Sequence, residues 1–158
     1  MAGGRDSRLP ALTLLYFGID LPNLQKYNDP VMTVQGIDNI GICTTDLTRS
    51  VAFYKRLGFT EAYRNDRGVM MAAGTVQLFL FQVRQPNPAP VGRELGLFGN
   101  PPGLDHISFS VSNVDALYAE LCKAGVPFAG PPENQTWGAR MVALKDPDGN
   151  NIYLLQRL

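Results

Sequence analysis

An internal repeat constrains the fold of this chain most, because one stretch occurs twice with an offset of 67 residues. Residues 36–59 align without a gap on residues 103–126. The identical pairs are Gly36/Gly103, Asp38/Asp105, Ile40/Ile107, Ala52/Ala119 and Gly58/Gly125. A periodic array needs three or more copies to bury a core, so two long copies predict one pseudo-symmetric domain. We therefore expect a cleft where the halves meet, with functional side chains at equivalent positions.

Each copy predicts the same order of one strand, one helix and three strands. Asp46 is a good N-cap for the first helix, and Gly58 is a typical residue just after a helix end. In the first copy we expect strands at 36–44, 60–64, 68–73 and 75–82, with a helix from Asp46 to Gly58. In the second copy we expect strands at 104–111, 139–145 and 151–156, with a helix from Asn113 to Ala124. The predicted fold class is α+β, with two tandem βαβββ modules whose eight short strands form a half-open, barrel-like cleft.

The modules leave two segments outside the repeat. Residues 1–31 are predicted to be an N-terminal extension that serves as a lid or dimer contact or is disordered. Residues 32–158 are predicted to form a single domain, with module one at 34–83 and module two at 103–158. The linker between them, 84–102, carries five prolines and three glycines, which is typical of irregular chain on a surface.

Composition and charge disfavour several classes of partner. Lys and Arg together number 14, as do Asp and Glu, so the net charge is zero and nothing supplies the phosphate-neutralising term of nucleic-acid binding. An anionic membrane surface is disfavoured for the same reason. No apolar run approaches the ~20 residues that span a bilayer, and no cleavage signal is evident, so we predict a cytoplasmic protein. Cys43 and Cys122 are predicted to be reduced and buried.

Strand parity predicts which side chains face the cleft, because alternate strand residues point to opposite faces. In module two, His106 shares a face with Ser108 and Ser110. In module one, Asn39 shares a face with Gly41. The opposite faces are bulky and apolar and would pack beneath the helices. The small or polar faces are therefore predicted to line the cleft.

Four short motifs carry a resemblance to a known family. They are Asn39-Ile40-Gly41-Ile42 with Asp46-Leu47, Phe53-Tyr54-Lys55-Arg56-Leu57-Gly58-Phe59, Trp137-Gly138-Ala139-Arg140 and Asp146-Pro147-Asp148-Gly149-Asn150. Over residues 34–156 the chain resembles the vicinal oxygen chelate superfamily of glyoxalase I, bleomycin-resistance proteins and extradiol dioxygenases. The resemblance implies the two-module fold and a homodimer, with the cleft either within one chain or between exchanged modules. Because this fold hosts many chemistries, it does not by itself give a function.

The resemblance also tests for a metal. In metal-dependent members the ligands come from the first and last strands of each module, and those positions map onto Asn39, Phe79, His106 and Tyr153. The family expects mostly His and Glu, and only His106 is a strong ligand. Tyr153 is a phenol of ordinary pKa about 10, and Phe79 offers no ligand atom. Since a catalytic site needs about three protein ligands, we predict no metal and no cofactor.

Each remaining candidate has a structural alternative. His106, the single histidine, could serve the site or simply bond a neighbour, and Tyr153 could donate to a ligand or be an ordinary edge residue. Phe79 is most simply a core residue, although it could stack on a flat ligand. Trp137 and Arg140 lie on a segment that borders the cleft in relatives, and the alternative for Arg140 is a surface salt bridge.

Three functions follow, in descending order of preference. The first is metal-free binding of a flat, largely apolar small molecule, as in bleomycin-resistance proteins. The second is a metal-independent isomerase, cyclase or lyase that uses His106 and Tyr153 as acid and base. A metal-dependent glyoxalase or dioxygenase is the least favoured. The predicted ligand-binding residues are Asn39, Phe79, His106, Trp137, Arg140 and Tyr153.

Overall fold

The structure, a computed structural model, describes residue 34 and residues 36–83, 93–95 and 100–158. Ile37–Leu158 form one compact unit. Its elements are β1 (Ile40–Thr44), α1 (Leu47–Arg56), β2 (Thr60–Arg64), β3 (Val69–Ala73), β4 (Val76–Gln82), β5 (His106–Ser110), α2 (Val114–Lys123), β6 (Glu133–Gln135), β7 (Ala139–Lys145) and β8 (Asn151–Arg157). This order confirms the α+β class and the two tandem βαβββ modules. The extension predicted at 1–31 and most of the linker lie outside the described residues.

The two helices occupy equivalent positions because the same local signals bound them. The side chains of Asp46 and Asn113 cap the helices, each accepting a hydrogen bond from the backbone N–H three residues further on, at 3.0 and 2.9 Å. Gly58 and Gly125 follow the helix ends with φ of 93° and 76°, a left-handed conformation that glycine adopts without a steric penalty. Among the described residues, no helix is long and apolar enough to cross a membrane.

The strands form two separate four-stranded sheets, in the orders β1-β4-β3-β2 and β5-β8-β7-β6. In each sheet the first and last strands of the module pair in parallel, and the other pairs are antiparallel. The sheets are not closed into a barrel, which agrees with the half-open arrangement of eight strands that the sequence predicted. The reason is that each module completes its hydrogen-bonded ladder alone, leaving β1 and β5 at sheet edges.

A shared hydrophobic core joins the modules. It contains buried residues from both, including Phe59 of module one and Phe109 of module two. Their rings meet edge to face with centroids 5.4 Å apart, a geometry that contributes about 0.5–1.5 kcal/mol beyond area burial. The modules therefore stabilise one another through their cores.

A polar contact also joins the modules, at the turn of residues 146–150 between β7 and β8. The carboxylate of Asp148 accepts hydrogen bonds from the Thr44 hydroxyl at 2.6 Å and the Thr45 backbone N–H at 3.0 Å. It also accepts one from the Ser50 hydroxyl at 3.2 Å. The segment was predicted only as a turn, which it is. The turn additionally clamps the β1–α1 junction of module one.

Three expectations on the elements differ from the structure. β1 begins at Ile40 and β5 at His106, four and two residues later than predicted. The preceding chain is exposed to solvent: Ile37 is 79% exposed and Leu104 is 75% exposed. β6 was not located from the sequence, since it has only three residues, all polar. The cysteines are free and exposed rather than buried. Cys43 alternates with buried residues of β1 and so lies on the open face.

Candidate functional site

The first strand of each module has one face packed beneath a helix and one open face. In β1, Ile42 is buried while Gly41 is exposed, and in β5, Phe109 is buried while Ser108 is exposed. This alternation is the one that parity predicted. The open faces carry His106 at the start of β5, with Asn39 exposed just before β1.

His106 and Tyr153 lie together on the open face of the second sheet. Their ring centroids are 4.5 Å apart, with the rings nearly perpendicular. Tyr153 is on β8, paired with Ser108 of β5, and only 5% of it is exposed. Burial, followed by the charge of Asp105, raises the pKa of the Tyr153 phenol. The phenol is therefore protonated at neutral pH and can donate a hydrogen bond.

Asp105 holds the other edge of the imidazole. Its Oδ2 lies 2.8 Å from Nδ1 of His106, and its Oδ1 accepts a 2.6 Å hydrogen bond from the Asn100 side chain. The Arg93 guanidinium lies further away, with Nη1 4.0 Å from Oδ1 of Asp105. The hydrogen bonds from His106 and Asn100 hold the pKa of the Asp105 carboxyl below its usual value, so this group is an anion at neutral pH.

Strand alternation would place Asp105 on the face opposite His106, so the sequence did not indicate its role. Asp105 precedes β5, where strand alternation does not constrain its side chain. The available signal was the repeat, because Asp38 and Asp105 are identical residues at equivalent positions. In module one the same geometry recurs, with the Asn39 amide donating a 2.7 Å hydrogen bond to Asp38.

A pocket of about 530 Å³ lies beside this group. The pocket is lined by β1, by the start of β5, by the end of the β7–β8 turn and by the first residue of β8. Its polar lining residues include Arg93, Asp105, His106, Asp148 and Asn151. The Asn151 side chain is nearly fully buried and donates a 2.9 Å hydrogen bond to the backbone carbonyl of Glu94. Its Oδ1 has no partner among the described residues. The pocket therefore combines apolar strand surface with a few converging polar atoms.

Module one contributes aromatic rings instead of polar groups. Phe79 and Phe81 on β4 are half-buried and stack with centroids 5.6 Å apart and an interplanar angle of 26°. Phe79 pairs with the exposed Gly41 of β1, and a side chain at Gly41 would contact the ring of Phe81 at 3.5 Å. Phe79 therefore lies on the open face of its sheet, where a flat molecule could stack.

The remaining two predicted residues lie apart from this group. Arg140 is on the face of β7 opposite Tyr153, and its guanidinium makes two hydrogen bonds, at 2.7 and 2.8 Å, to Asp115 of α2. This is the salt-bridge alternative. Trp137 is in the β6–β7 turn, 43% exposed, with Arg157 5.3 Å above its ring.

The four positions at which the resemblance implies metal ligands, Asn39, Phe79, His106 and Tyr153, do not offer a transition-metal donor set here. Phe79 has no ligand atom, Asn39 offers only a neutral amide oxygen, and the Tyr153 phenol is protonated. Within the described ranges there is no group of three or more His, Cys, Asp and Glu side chains that could hold a metal. The chemistry of these residues does not fit the three or four N, S and O ligands that such ions take.

The sequence and the fold of this chain are similar to those of known proteins. A profile of the Glyoxalase/Bleomycin resistance protein/Dioxygenase superfamily matches residues 36–154. A bleomycin resistance protein of Klebsiella pneumoniae is 30% identical over 125 residues, covering 79% of this chain and 94% of that protein. The crystal structure of SMU.1112c is similar with a TM-score of 0.64 and 25% identity, over 78% of this chain and 99% of that one. The fosfomycin resistance protein FosX from Listeria monocytogenes shares the fold, with a TM-score of 0.62 and 17% identity, over 80% and 96%.

Proposed function

Because the chain belongs to the glyoxalase/bleomycin resistance protein/dioxygenase superfamily, we propose that it binds a flat, largely apolar small molecule without using a metal ion. One observation carries this proposal. The open sheet faces bear stacked Phe79 and Phe81 in module one and the paired rings of His106 and Tyr153 in module two. Ligand clefts of this kind are mostly apolar, with a small number of placed polar groups.

The two modules would contact different parts of the ligand. The face of Phe79 takes the flat body of the ligand, while Asn39, His106 and Tyr153 orient its polar edge. Tyr153 supplies a donor, because its phenol keeps its proton. Arg140 has no place in the proposed site, since Asp115 occupies its guanidinium. Trp137 remains a candidate through its exposed ring.

The test is calorimetric titration with bleomycin, the drug in the relatives' names, and with 2-naphthol as a small flat probe. We expect at least one of them to bind, to bind more weakly to His106→Ala, and to be recovered chemically unchanged after hours of incubation. Saturation without chemical change supports sequestration. Binding of neither would count against the proposal, and conversion of the bound compound would replace it with the catalytic alternative.

That alternative is a metal-independent isomerase, cyclase or lyase, and one contact favours it. Asp105 lies 2.8 Å from His106, which is how an orienting carboxylate supports a general base. Tyr153 would then serve as the acid. In that case His106→Ala should abolish turnover while leaving ligand affinity within a few-fold of wild type.

The proposal includes a homodimer in the cytoplasm. Two features support the dimer: β1 and β5 are edge strands, and both carry exposed residues on one face. A second copy of the chain could complete a cleft that one chain leaves open. Native mass spectrometry would report subunit number, metal content and bound small molecule together, and a monomer at micromolar concentration would contradict the dimer.

A further inference from the structure

We propose that Asp105 is a positioning residue that holds His106 as its Nδ1–H tautomer, so that Nε2 presents a hydrogen-bond-accepting lone pair. The part of this inference that concerns ligands rests on the proposed function. It gives the site a chemical preference: a bound molecule should bring an N–H or O–H donor to Nε2. Ligands whose polar edge carries only acceptors should be disfavoured at that position.

The contacts around Asp105 determine which ring nitrogen carries the hydrogen. The carboxylate receives a hydrogen bond from the Asn100 side chain at 2.6 Å, and the Arg93 guanidinium lies 4.0 Å away. An ionised carboxylate has lone pairs and no hydrogen, so it can only accept. The 2.8 Å contact between Oδ2 and Nδ1 therefore requires Nδ1–H to be the donor. In the neutral ring, Nε2 is then the acceptor.

Packing fixes the plane of the same ring. The rings of Tyr153 and His106 pack edge to face with centroids 4.5 Å apart. Because Tyr153 is itself buried, it restricts movement of the imidazole on that side. The imidazole is 30% exposed and lines the 530 Å³ pocket. Among the described residues Nε2 has no hydrogen-bond partner. The free nitrogen is therefore the one available to a bound molecule.

The repeat supports the inference independently. Asp38 occupies in module one the position of Asp105 in module two, and it accepts a 2.7 Å hydrogen bond from the next residue, Asn39. With its amide N–H directed to Asp38, the carbonyl oxygen of Asn39 is left to accept from elsewhere. In both modules, therefore, a carboxylate accepts a hydrogen bond from the next residue. This leaves an acceptor atom of that residue, the carbonyl oxygen of Asn39 or Nε2 of His106, available to a ligand.

The single histidine makes the tautomer directly measurable. In protein labelled with ¹⁵N-histidine, long-range ¹H–¹⁵N correlation spectra distinguish a protonated Nδ1 from a protonated Nε2. We expect the neutral ring of the wild type to be mainly the Nδ1–H form. Asp105→Ala should make Nε2–H the major form, and Asp105→Asn, which keeps an acceptor oxygen, should lie between the two.

The matched control is Asp38→Asn, which alters the equivalent carboxylate and should leave the His106 spectrum unchanged. A mainly Nε2–H ring in the wild type would overturn the proposal, as would an identical tautomer ratio in Asp105→Ala. Circular dichroism and thermal melting establish that each variant is folded. If the alanine variant unfolds, Asp105→Asn, which nearly preserves shape, provides the test, and a tautomer ratio identical to that of the wild type would then overturn the proposal.

A ligand experiment then separates this inference from the proposed function. The probes are 2-naphthol, which carries an O–H, and 2-methoxynaphthalene, which has the same rings and only an acceptor. We expect the wild type to prefer the naphthol about 3- to 10-fold, the range of one net hydrogen bond, and Asp105→Ala to lose that preference. Equal binding of both probes by the wild type would refute the donor preference. Binding of neither would count against the proposed function, while the spectra still decide the tautomer.

Discussion

The phenol of Tyr54, in the first helix, donates a 3.0 Å hydrogen bond to the carboxylate of Asp146 in the turn between β7 and β8. Tyr54 is fully buried. Burial, followed by the charge of Asp146, raises its pKa far above the usual value, so the phenol always carries its proton here. Asp146 also accepts hydrogen bonds from the backbone N–H groups of Asp148 and Asn150, at 3.0 and 2.8 Å. One carboxylate therefore shapes its own turn and holds it to the other module.

Tyr54→Phe should destabilise the protein by about 1–3 kcal/mol, because it leaves the buried carboxylate of Asp146 one donor short. Urea unfolding monitored by circular dichroism measures the change. The control is Tyr63→Phe, which removes the same atom from a tyrosine that is 59% exposed and should alter the midpoint little. Equal midpoints for Tyr54→Phe and wild type would mean that the contact is energetically neutral.

The clamp at Asp148 predicts a loss of stability in acid. Partial burial alone would raise the pKa of Asp148, but hydrogen bonds from Thr44, Thr45 and Ser50 outweigh it and hold the pKa below its usual value. Because the pKa of Asp148 is lower in the folded protein than the unfolded value of about 4, its ionised carboxylate stabilises the fold, and this stabilisation is fully present above the unfolded pKa. It disappears as the pH falls through the folded pKa. Urea midpoints between pH 7 and pH 3 should show this acid limb.

Replacing the carboxylate tests which group causes the limb. Asp148→Asn should lower stability at pH 7 and make the acid limb shallower than in wild type. Asp66→Asn, at an exposed turn position, should leave the profile unchanged. A profile of Asp148→Asn parallel to that of wild type would assign the acid limb to other groups.

Phe79→Leu should weaken a flat ligand while leaving the fold intact. Leucine keeps apolar bulk at this half-buried position but removes the ring face, whose stacking is worth about 0.5–1.5 kcal/mol. This corresponds to roughly a 2- to 12-fold rise in Kd for 2-naphthol, measured by calorimetry. Tyr63→Leu, an aromatic loss on exposed β2, serves as the control. An unchanged Kd for Phe79→Leu would remove this ring from the proposed site.

Arg140→Gln should leave ligand binding unchanged. The guanidinium bonds Asp115 on the helix-facing side of β7 and is not directed to the open face. An exposed ion pair of this kind contributes little to stability, so the melting temperature should also change little. A tenfold or larger rise in the Kd for 2-naphthol would show that Arg140 contributes to binding, as the sequence predicted.

Local signals explain why so much of the fold could be predicted from the sequence. Asp46 and Asn113 cap the helices and Gly58 and Gly125 follow their ends, and each acts within one turn of chain. Strand alternation is equally local, and it placed His106 on an open face correctly. Within the described range, β6 was missed, and the other elements differ from the prediction by a few residues at their ends.

Contacts between distant residues explain what could not be predicted. No local pattern indicates that Asp148 would meet Thr44, or that the two sheets would remain separate. The pairing of Asp105 with His106 depends on a side chain outside the strand, where alternation gives no direction. Arg140 was ambiguous for a similar reason, because its partner in α2 is 25 residues away.

The turn that clamps module one also sets a delay during synthesis. Thr44 leaves the ribosome 104 residues before Asp148, which at 5–20 residues per second is an interval of roughly 5–20 s. Throughout that time the β1–α1 junction has only its own module to hold it. The contacts of Asp148 therefore contribute to the stability of the finished chain and not to that of the first module while the chain is being made.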